Sequence, residues 1–192
     1  MRPSAEAVGV GGAMKILKKL LLGLVALVLG LVVVSFFMPK TYRVERAVVI
    51  QAKPEAVFPL LADLKQWPKW GVWHERDPAM TIAYSPVTTG VGAFSDWQSK
   101  TQGNGKATVT AVEPLKSVTY TLEMPDQGML GVGVLAMSPA ENGAVRVTTT
   151  MTGELGMNPM MRLMGPFLDK LIGPDFEAGL AKVKRVAEEA AK

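Results

Sequence analysis

The chain has 192 residues, of which 48% are hydrophobic, and a formal net charge of +4. Residues 1–40 hold five basic residues and one acidic residue, so the rest of the chain, with sixteen residues of each sign, is neutral. A neutral domain lacks the basic face that nucleic-acid binding requires, and we expect no nucleic acid partner. The lack of cysteine excludes disulfide bonds and thiol catalysis.

The N-terminal segment predicts a membrane anchor. Residues 1–14 are small and lack periodicity, and we expect a disordered tail there. A charge-free run then begins at Leu20 and ends at Met38. Nineteen helical residues span about 28 Å, close to the hydrocarbon thickness of a bilayer. We therefore expect a single transmembrane helix within residues 15–39.

A cleaved signal peptide is the competing interpretation, because a basic start and an apolar run suit both. The run is longer than the usual core of a signal peptide, and residues 35–39 offer no A-x-A-like cleavage site, which favours an uncleaved anchor. The cluster of Lys15, Lys18 and Lys19 favours an N-terminus inside. In a bacterium the domain is then on the periplasmic, outer face of the inner membrane. Met14 is a second candidate start.

Residues 40–192 predict one α+β domain. The domain begins with a strand, which is followed by a short helix that begins at Pro54 and by a Trp-rich helical turn at residues 66–74. The remaining strands come after this turn. The predicted strands are residues 42–52, 81–85, 92–100, 106–112, 117–124, 129–137 and 145–153. Turns with Gly or Pro join the later strands without crossover helices, so we expect an antiparallel meander.

The last 35 residues, 158–192, predict a long amphipathic helix. Asn158 can cap its start, and Pro159 suits the first helical position. Apolar residues then recur every three to four positions. We expect an interruption at Gly173 and Pro174, because proline cannot donate the backbone hydrogen bond of a helix. The apolar face of this helix needs the sheet to cover it.

Several motifs together carry a resemblance to a known superfamily. They are QWPKW at residues 66–70 ahead of Trp73, Asp77-Pro78, GVG at 90–92, SDW at 95–97, and LDKLIGPDFEAGLAKVKRVAEE at 168–189. The chain resembles the START-like, SRPBCC superfamily (helix-grip or birch-pollen-allergen fold) over residues 42–189, and within it the polyketide cyclase/dehydratase branch. Members often have a Trp in the final strand, where this chain has RVTTT at residues 146–150.

The resemblance implies a helix-grip fold, in which a curved antiparallel sheet of about seven strands wraps around the long C-terminal helix. It further implies an apolar cavity between sheet and helix that takes lipids, sterols, polyketides or quinones. It implies no single reaction, because one fold serves many functions.

Eight residues are candidates for binding a hydrophobic ligand, and methionine in particular conforms to irregular apolar ligands. They are Trp73, Tyr84, Trp97, Tyr120, Met124, Met160, Met164 and Phe167. For the cluster of Trp67, Trp70 and Trp73, core packing, a pocket entrance and a membrane-interface belt are all open interpretations.

The sequence holds few groups for catalysis. His74 is the one histidine, which excludes a histidine-based metal site, and no metal or cofactor is expected. His74 and Asp96 are the candidates for acid–base chemistry. A structural role is favoured for His74, and strand alternation allows at most one of Asp96 and Trp97 to face a pocket.

The sequence therefore leaves three functions to weigh. The first is a membrane-anchored domain that binds a hydrophobic small molecule, such as a lipid, an isoprenoid or a polyketide-like compound. The alternatives are a polyketide cyclase/dehydratase-type enzyme and a non-catalytic interaction module of a membrane complex.

Overall fold

The computed structural model describes residues 6–190. An N-terminal helix, α1 (Glu6–Ser35), precedes an α+β domain. Its strands are β1 (Thr41–Ile50), β2 (Thr81–Tyr84), β3 (Phe94–Gln98), β4 (Gly105–Glu113), β5 (Ser117–Met124), β6 (Met129–Pro139) and β7 (Val145–Glu154). Its helices are α2 (Pro54–Ala62), α3 (Val72–Arg76), α4 (Pro159–Met164) and α5 (Leu168–Ala190), with 3₁₀ turns at Leu64–Lys69, Pro125–Gln127, Glu141–Gly143 and Gly165–Phe167.

The strands form one antiparallel sheet in the order β1-β7-β6-β5-β4-β3-β2. From β2 to β7 each strand pairs with the next along the chain, and β1 pairs with β7 at the other end. The predicted fold class is confirmed: an antiparallel sheet of seven strands with a long C-terminal helix and an N-terminal apolar helix.

Alternate residues of the strands point toward α5 and form the core. Val44, Val118 and Val147 are completely buried on this inner face of the sheet. Helix α5 contributes a buried stripe at three-to-four-residue spacing, which includes Leu180 and Val183. The core therefore lies between the sheet and α5, as expected for a sheet that covers one amphipathic helix.

Three aromatic side chains on the inner face each lie against a glycine of the neighbouring strand. The pairs in register are Trp97 with Gly105, Tyr120 with Gly133, and Tyr42 with Gly153. A Cβ atom on any of these glycines would overlap the aromatic ring. Glycine is needed here because a side chain approaches the strand closely, and the rings are thereby held at defined places on the inner face.

Helix α1 is longer than predicted. It begins at Glu6, so residues 6–14 are helical although we expected a disordered tail; residues 1–5 of that tail lie outside the described residues. Extending an existing helix is easy, because each added residue gains a hydrogen bond without a new nucleus. The part Gly12–Ser35 is long and apolar enough to cross a membrane, a property that signal sequences share.

The capping prediction for the C-terminal helical region is confirmed, but the predicted break is wrong. Asn158 Oδ1 accepts a hydrogen bond from the Met160 N–H at 3.0 Å. The α-helical hydrogen-bonding pattern is interrupted by the 3₁₀ turn at Gly165–Phe167, whereas α5 continues through Pro174.

A contact with a residue far away in the sequence explains why α5 has a glycine at position 173, where we predicted a break. The Arg46 guanidinium packs against α5 at Gly173, where any Cβ would overlap it. Its Nη1 donates to Asp169 Oδ1 at 2.7 Å and its Nε to Glu177 Oε1 at 2.6 Å. Gly173 thus admits a side chain from β1 and does not end the helix.

Candidate functional site

An apolar cavity of about 70 Å³ lies between the inner face of the sheet, α5 and the Trp-rich segment. This volume exceeds the roughly 10–15 Å³ that one water requires, and it is smaller than the ~300–1,000 Å³ of pockets that enclose drug-sized ligands. As it stands, the cavity has room for a small apolar group.

Two tryptophans of the wall are held by their indole N–H groups. Trp67 Nε1 donates to the Leu61 carbonyl at 3.0 Å, and Trp70 Nε1 donates to the Leu60 carbonyl at 2.9 Å. The 3₁₀ turn that carries Trp67 is capped by Asp63, whose side chain accepts from the Lys65 N–H. With their polar atoms satisfied at α2, both ring systems present apolar surface to the cavity.

The sheet supplies Tyr120, Leu135 and Thr149 as the floor of the cavity. The Trp67 ring meets the Tyr120 ring edge-on, with centroids 4.9 Å apart. Burial raises the pKa of the Tyr120 phenol well above its ordinary value, and the nearby Tyr42 adds to the effect. Tyr120 therefore stays neutral at physiological pH.

Helix α5 closes the cavity with Phe176, Gly179, Leu180 and Val183. At Gly179 a Cβ atom would lie 3.5 Å from the Trp70 carbonyl oxygen and 3.6 Å from its ring, which are ordinary contacts. Part of the free volume thus exists because α5 has no side chain at this position.

Helix α3 forms the remaining wall and is tied to α5 by ion pairs. Trp73 meets Phe176 edge-on, with ring centroids 6.5 Å apart. Arg76 Nη1 donates to Asp175 Oδ2 at 2.8 Å, and Asp175 also lines the cavity. A second pair joins Lys182 Nζ to Glu75 at 2.5 Å. Helix α3 has five residues, and so short a helix depends on its contacts with the rest of the domain. The contacts with α5 therefore determine where Trp73 lies.

His74 contributes an unsatisfied polar atom to the cavity wall. Its Nδ1 is buried and has no hydrogen-bond partner among the described residues. Burial lowers the pKa of the imidazole, and the Gly71 backbone beside the ring partly offsets this effect. The imidazole is therefore neutral near pH 7 and able to bond a polar group of a ligand.

The structure brings three of the sequence candidates together. Trp73, His74 and Tyr120 line the cavity. Tyr84 and Trp97 are partly buried and pack against the core on the inner face of the sheet, and Met124 is half-buried at the end of β5.

The other candidates lie outside the cavity. Met160, Met164 and Phe167 are exposed on the outer side of the α4 region. Asp96 is exposed, whereas Trp97 points toward the core, as strand alternation requires. Within residues 6–190, no group of three or more potential ligand side chains could hold a metal ion.

Sequence reasoning missed Thr149 and Gly179 as wall residues. Gly179 had a signal, since a glycine inside a helix costs stability and therefore indicates a packing or functional reason. Thr149 had none, because its position depends on the register between β7 and β6, where it pairs with Leu135.

The sequence matches the model of one known protein family. The family model for polyketide cyclase / dehydrase and lipid transport matches residues 41–188. No protein of curated function matches the sequence.

Solved structures share the fold at low sequence identity. Protein CV1439 from Chromobacterium violaceum is 18% identical, with a TM-score of 0.53 over 79% of this chain and 99% of its own. A norcoclaurine synthase from Thalictrum flavum is 13% identical, with a TM-score of 0.58 over 79% and 97% of the two chains. The di-domain ARO/CYC StfQ from the steffimycin biosynthetic pathway is 15% identical, with a TM-score of 0.57 over 79% and 52%.

Proposed function

Because the chain belongs to the polyketide cyclase / dehydrase and lipid transport family, we propose that it binds a hydrophobic small molecule in the cavity between α5 and the sheet. The ligand is a lipid, an isoprenoid or a polyketide-like compound. Helix α1 anchors the domain to the membrane from which such a ligand is drawn.

The observation that carries the proposal is the chemistry of the cavity wall. Its surface is formed mainly by indole, phenyl and aliphatic groups, with the His74 imidazole, the Tyr120 phenol, the Thr149 hydroxyl and the Asp175 carboxylate as polar exceptions. Water gains few hydrogen bonds in such a space, so an apolar ligand group displaces it favourably. A few polar groups in an apolar wall are typical of small-molecule sites, where they orient the ligand.

The cavity volume must increase before a whole ligand can bind. We expect α3 to move to allow this. Trp73 and Phe176 form the contact between α3 and α5, so their separation enlarges the cavity. Arg76 and Glu75 are 49% and 65% exposed, but their partners Asp175 and Lys182 are only 16% and 18% exposed, so breaking these two ion pairs is a cost that ligand binding has to offset.

The anchor supports this function because an apolar ligand concentrates in the bilayer. The helical part of α1 from Gly12 to Ser35 has a mean hydropathy of 2.5 over its most apolar window, none of which is buried. In the proposed arrangement the N-terminus lies on the inner side of the membrane. The domain lies on the outer face of the inner membrane.

Native mass spectrometry of the full-length protein released from detergent tests the proposal. Gly179→Leu fills the cavity, and Ala178→Leu, which adds the same side chain to the exposed side of α5, is its control. We expect the wild type and Ala178→Leu to carry a bound hydrophobic compound and Gly179→Leu to carry less. A protein that stays empty and excludes added lipid would contradict ligand binding and favour a non-catalytic interaction module.

A second candidate function is acid–base catalysis of the cyclase or dehydratase kind, and the unpaired Nδ1 of His74 favours it. A neutral imidazole in an apolar cavity can take a proton from a bound ligand. His74→Gln should then abolish turnover of a poly-β-ketone substrate while binding persists. Turnover equal to that of the wild type would exclude this role.

A further inference from the structure

A row of exposed apolar side chains runs along the α4 region beside the end of α1. They are Met157, Met160, Met164, Phe167 and Leu171, and we call them the α4 apolar surface. From Met157 onward they are spaced three or four residues apart, which places them on one side of consecutive helical turns. Arg162, on the opposite side of α4, is directed inward and buried, and Leu168 at the start of α5 is buried as well.

The α4 apolar surface is continuous with the anchor. Helix α1 contacts α4. The Leu155 N–H, just before α4, donates to the Lys40 carbonyl at 2.7 Å, which joins the start of α4 to the start of β1. The exposed apolar residues of α1 are followed along the chain by Phe37, which is 86% exposed, and the α4 region contacts this helix.

Arg162 fixes the position of α4 against the end of α1. It is 2% exposed, and its Nε donates to the Gly156 carbonyl at 2.8 Å. Its guanidinium carbon lies 5.7 Å from the centre of the Phe36 ring, within the range of a cation–π contact. No carboxylate among the described side chains is within ion-pair distance of it. The guanidinium instead contacts the Gly156 carbonyl, the Met157 sulfur at 3.4 Å and the Phe36 ring of the anchor region.

We propose that the α4 apolar surface inserts into the headgroup and acyl-chain boundary of the bilayer that α1 spans. This inference rests on the proposed membrane anchoring. An apolar row next to a spanning helix would otherwise remain in water, whereas amphipathic helical segments at a membrane surface bury their apolar face in this boundary. The domain is then held in one orientation on the bilayer, with the α4 end of the sheet facing the lipid.

The sheet supplies matched control positions at its opposite end. Strand β1 starts next to α1 at Thr41 and runs away from it, so the antiparallel order puts the turn between β2 and β3 at the far end. Val87 and Val91 in that turn are 65% and 70% exposed, close to the 66% and 70% of Met160 and Met157. The two valines thus differ from Met157 and Met160 in location but are similar to them in exposure.

Nitroxide labels at single cysteines measure immersion in the full-length protein, which has no native cysteine. The variants are Met157→Cys and Met160→Cys, with Val87→Cys and Val91→Cys as aqueous controls and Leu27→Cys as the control within α1. In phosphatidylcholine and phosphatidylglycerol vesicles, the accessibility of each label to oxygen and to a water-soluble nickel complex gives its depth. We expect residues 157 and 160 to show a several-fold higher ratio of oxygen to nickel accessibility than residues 87 and 91, and residue 27 to show the highest ratio.

Three other results would overturn the inference. If residues 157 and 160 match residues 87 and 91 while residue 27 is in lipid, the anchor is correct and the surface lies in water. If they are shielded from both reagents, a protein partner or a second copy covers the surface. If residue 27 also reports water, the membrane anchoring itself fails, and the inference fails with it.

Discussion

The Tyr120 ring lies against Gly133 on the neighbouring strand, where a Cβ atom would occupy the place of the ring. Tyr120 is also part of the cavity floor, so the glycine determines how far the phenol reaches toward α5. Of the three aromatic–glycine pairs of the inner face, the one between Tyr120 and Gly133 thus shapes the cavity.

Replacing Gly133 with alanine should therefore disturb the cavity. The added methyl group pushes the Tyr120 ring toward α5, and overpacking of this kind costs about 1–3 kcal/mol. We expect a lower free energy of unfolding in urea and less bound ligand in native mass spectra. Gly131→Ala is the control on the same face of β6: its Cβ would meet Met151 Sδ at 3.0 Å and the Thr152 carbonyl and the Tyr42 hydroxyl at 3.1 Å, which is tight but milder than the 2.1 Å to the Tyr120 ring, so we expect a smaller loss. Equal losses in both variants would disprove the role assigned to Tyr120.

The two glycines of α5 should respond oppositely to alanine. Gly179→Ala introduces ordinary contacts only, so it should gain up to about 1 kcal/mol from helix propensity. Gly173→Ala should lower the free energy of unfolding, because the Arg46 guanidinium has to leave Asp169 and Glu177.

A double-mutant cycle isolates the cause of that loss. In an Arg46→Ala background the obstacle is gone, and Gly173→Ala should become stabilising in thermal denaturation. A loss that persists in this background would show that Gly173 is required for a reason other than Arg46.

The stability of the protein should fall as the pH drops below neutrality, and His74 should be the cause. Its pKa in the folded protein lies below the ordinary value of 6.5 because burial penalises the charged imidazole. The unfolded chain then binds more protons between the two values. The stabilisation that comes from the neutral His74 ring is complete above the pKa of His74 in the unfolded chain. It is lost as the pH falls toward the lower pKa of His74 in the folded protein.

His74→Gln should remove this dependence, and no other histidine is present to replace it. Urea denaturation at several pH values between about 7.5 and 5 measures the effect, since ordinary carboxylates titrate below this range. The imidazole resonance of the wild type should titrate with a midpoint below 6.5. A midpoint above 6.5 would contradict the burial of a neutral ring.

The ion pair between Arg76 and Asp175 should slow the exchange of ligand. It ties α3 to α5 at the edge of the cavity, so Arg76→Gln should increase the rate at which bound lipid exchanges with isotopically labelled lipid in vesicles. Lys116→Gln, which alters the exposed pair with Glu113, is the control. If Arg76→Gln exchanges at the wild-type rate, α3 is not the moving element.

Local signals predicted most of the fold, whereas contacts between distant segments decided the rest. Asn158 and Pro159 specify a helix start through their own backbone chemistry, and the turns with Gly or Pro specify the meander. Gly173 and Pro174 resemble a helix end for the same local reasons. The contact that keeps α5 continuous there comes from Arg46, which the local pattern cannot reveal.

The candidate site was predictable in part for a similar reason. Strand alternation indicated that Tyr120 is buried, and the Trp cluster marked an unusual apolar segment. Whether an apolar helical residue lines a cavity or lies outside depends on the rotation of the helix against the sheet. The sequence showed that Met160 and Met164 share an apolar face, but the packing of Arg162 against Phe36 turns that face outward.

Photo-crosslinking tests the central claim most directly. The full-length protein in vesicles receives a lipid with a diazirine in its acyl chain, and peptide mass spectrometry then maps the sites of attachment. We expect cross-links on α1, where it meets the bilayer, and on cavity residues Trp73, Phe176 and Leu180, with the cavity cross-links reduced in Gly179→Leu and retained in Ala178→Leu. Cross-links confined to α1 and the α4 apolar surface, with none in the cavity, would contradict the proposal that a hydrophobic ligand binds between α5 and the sheet.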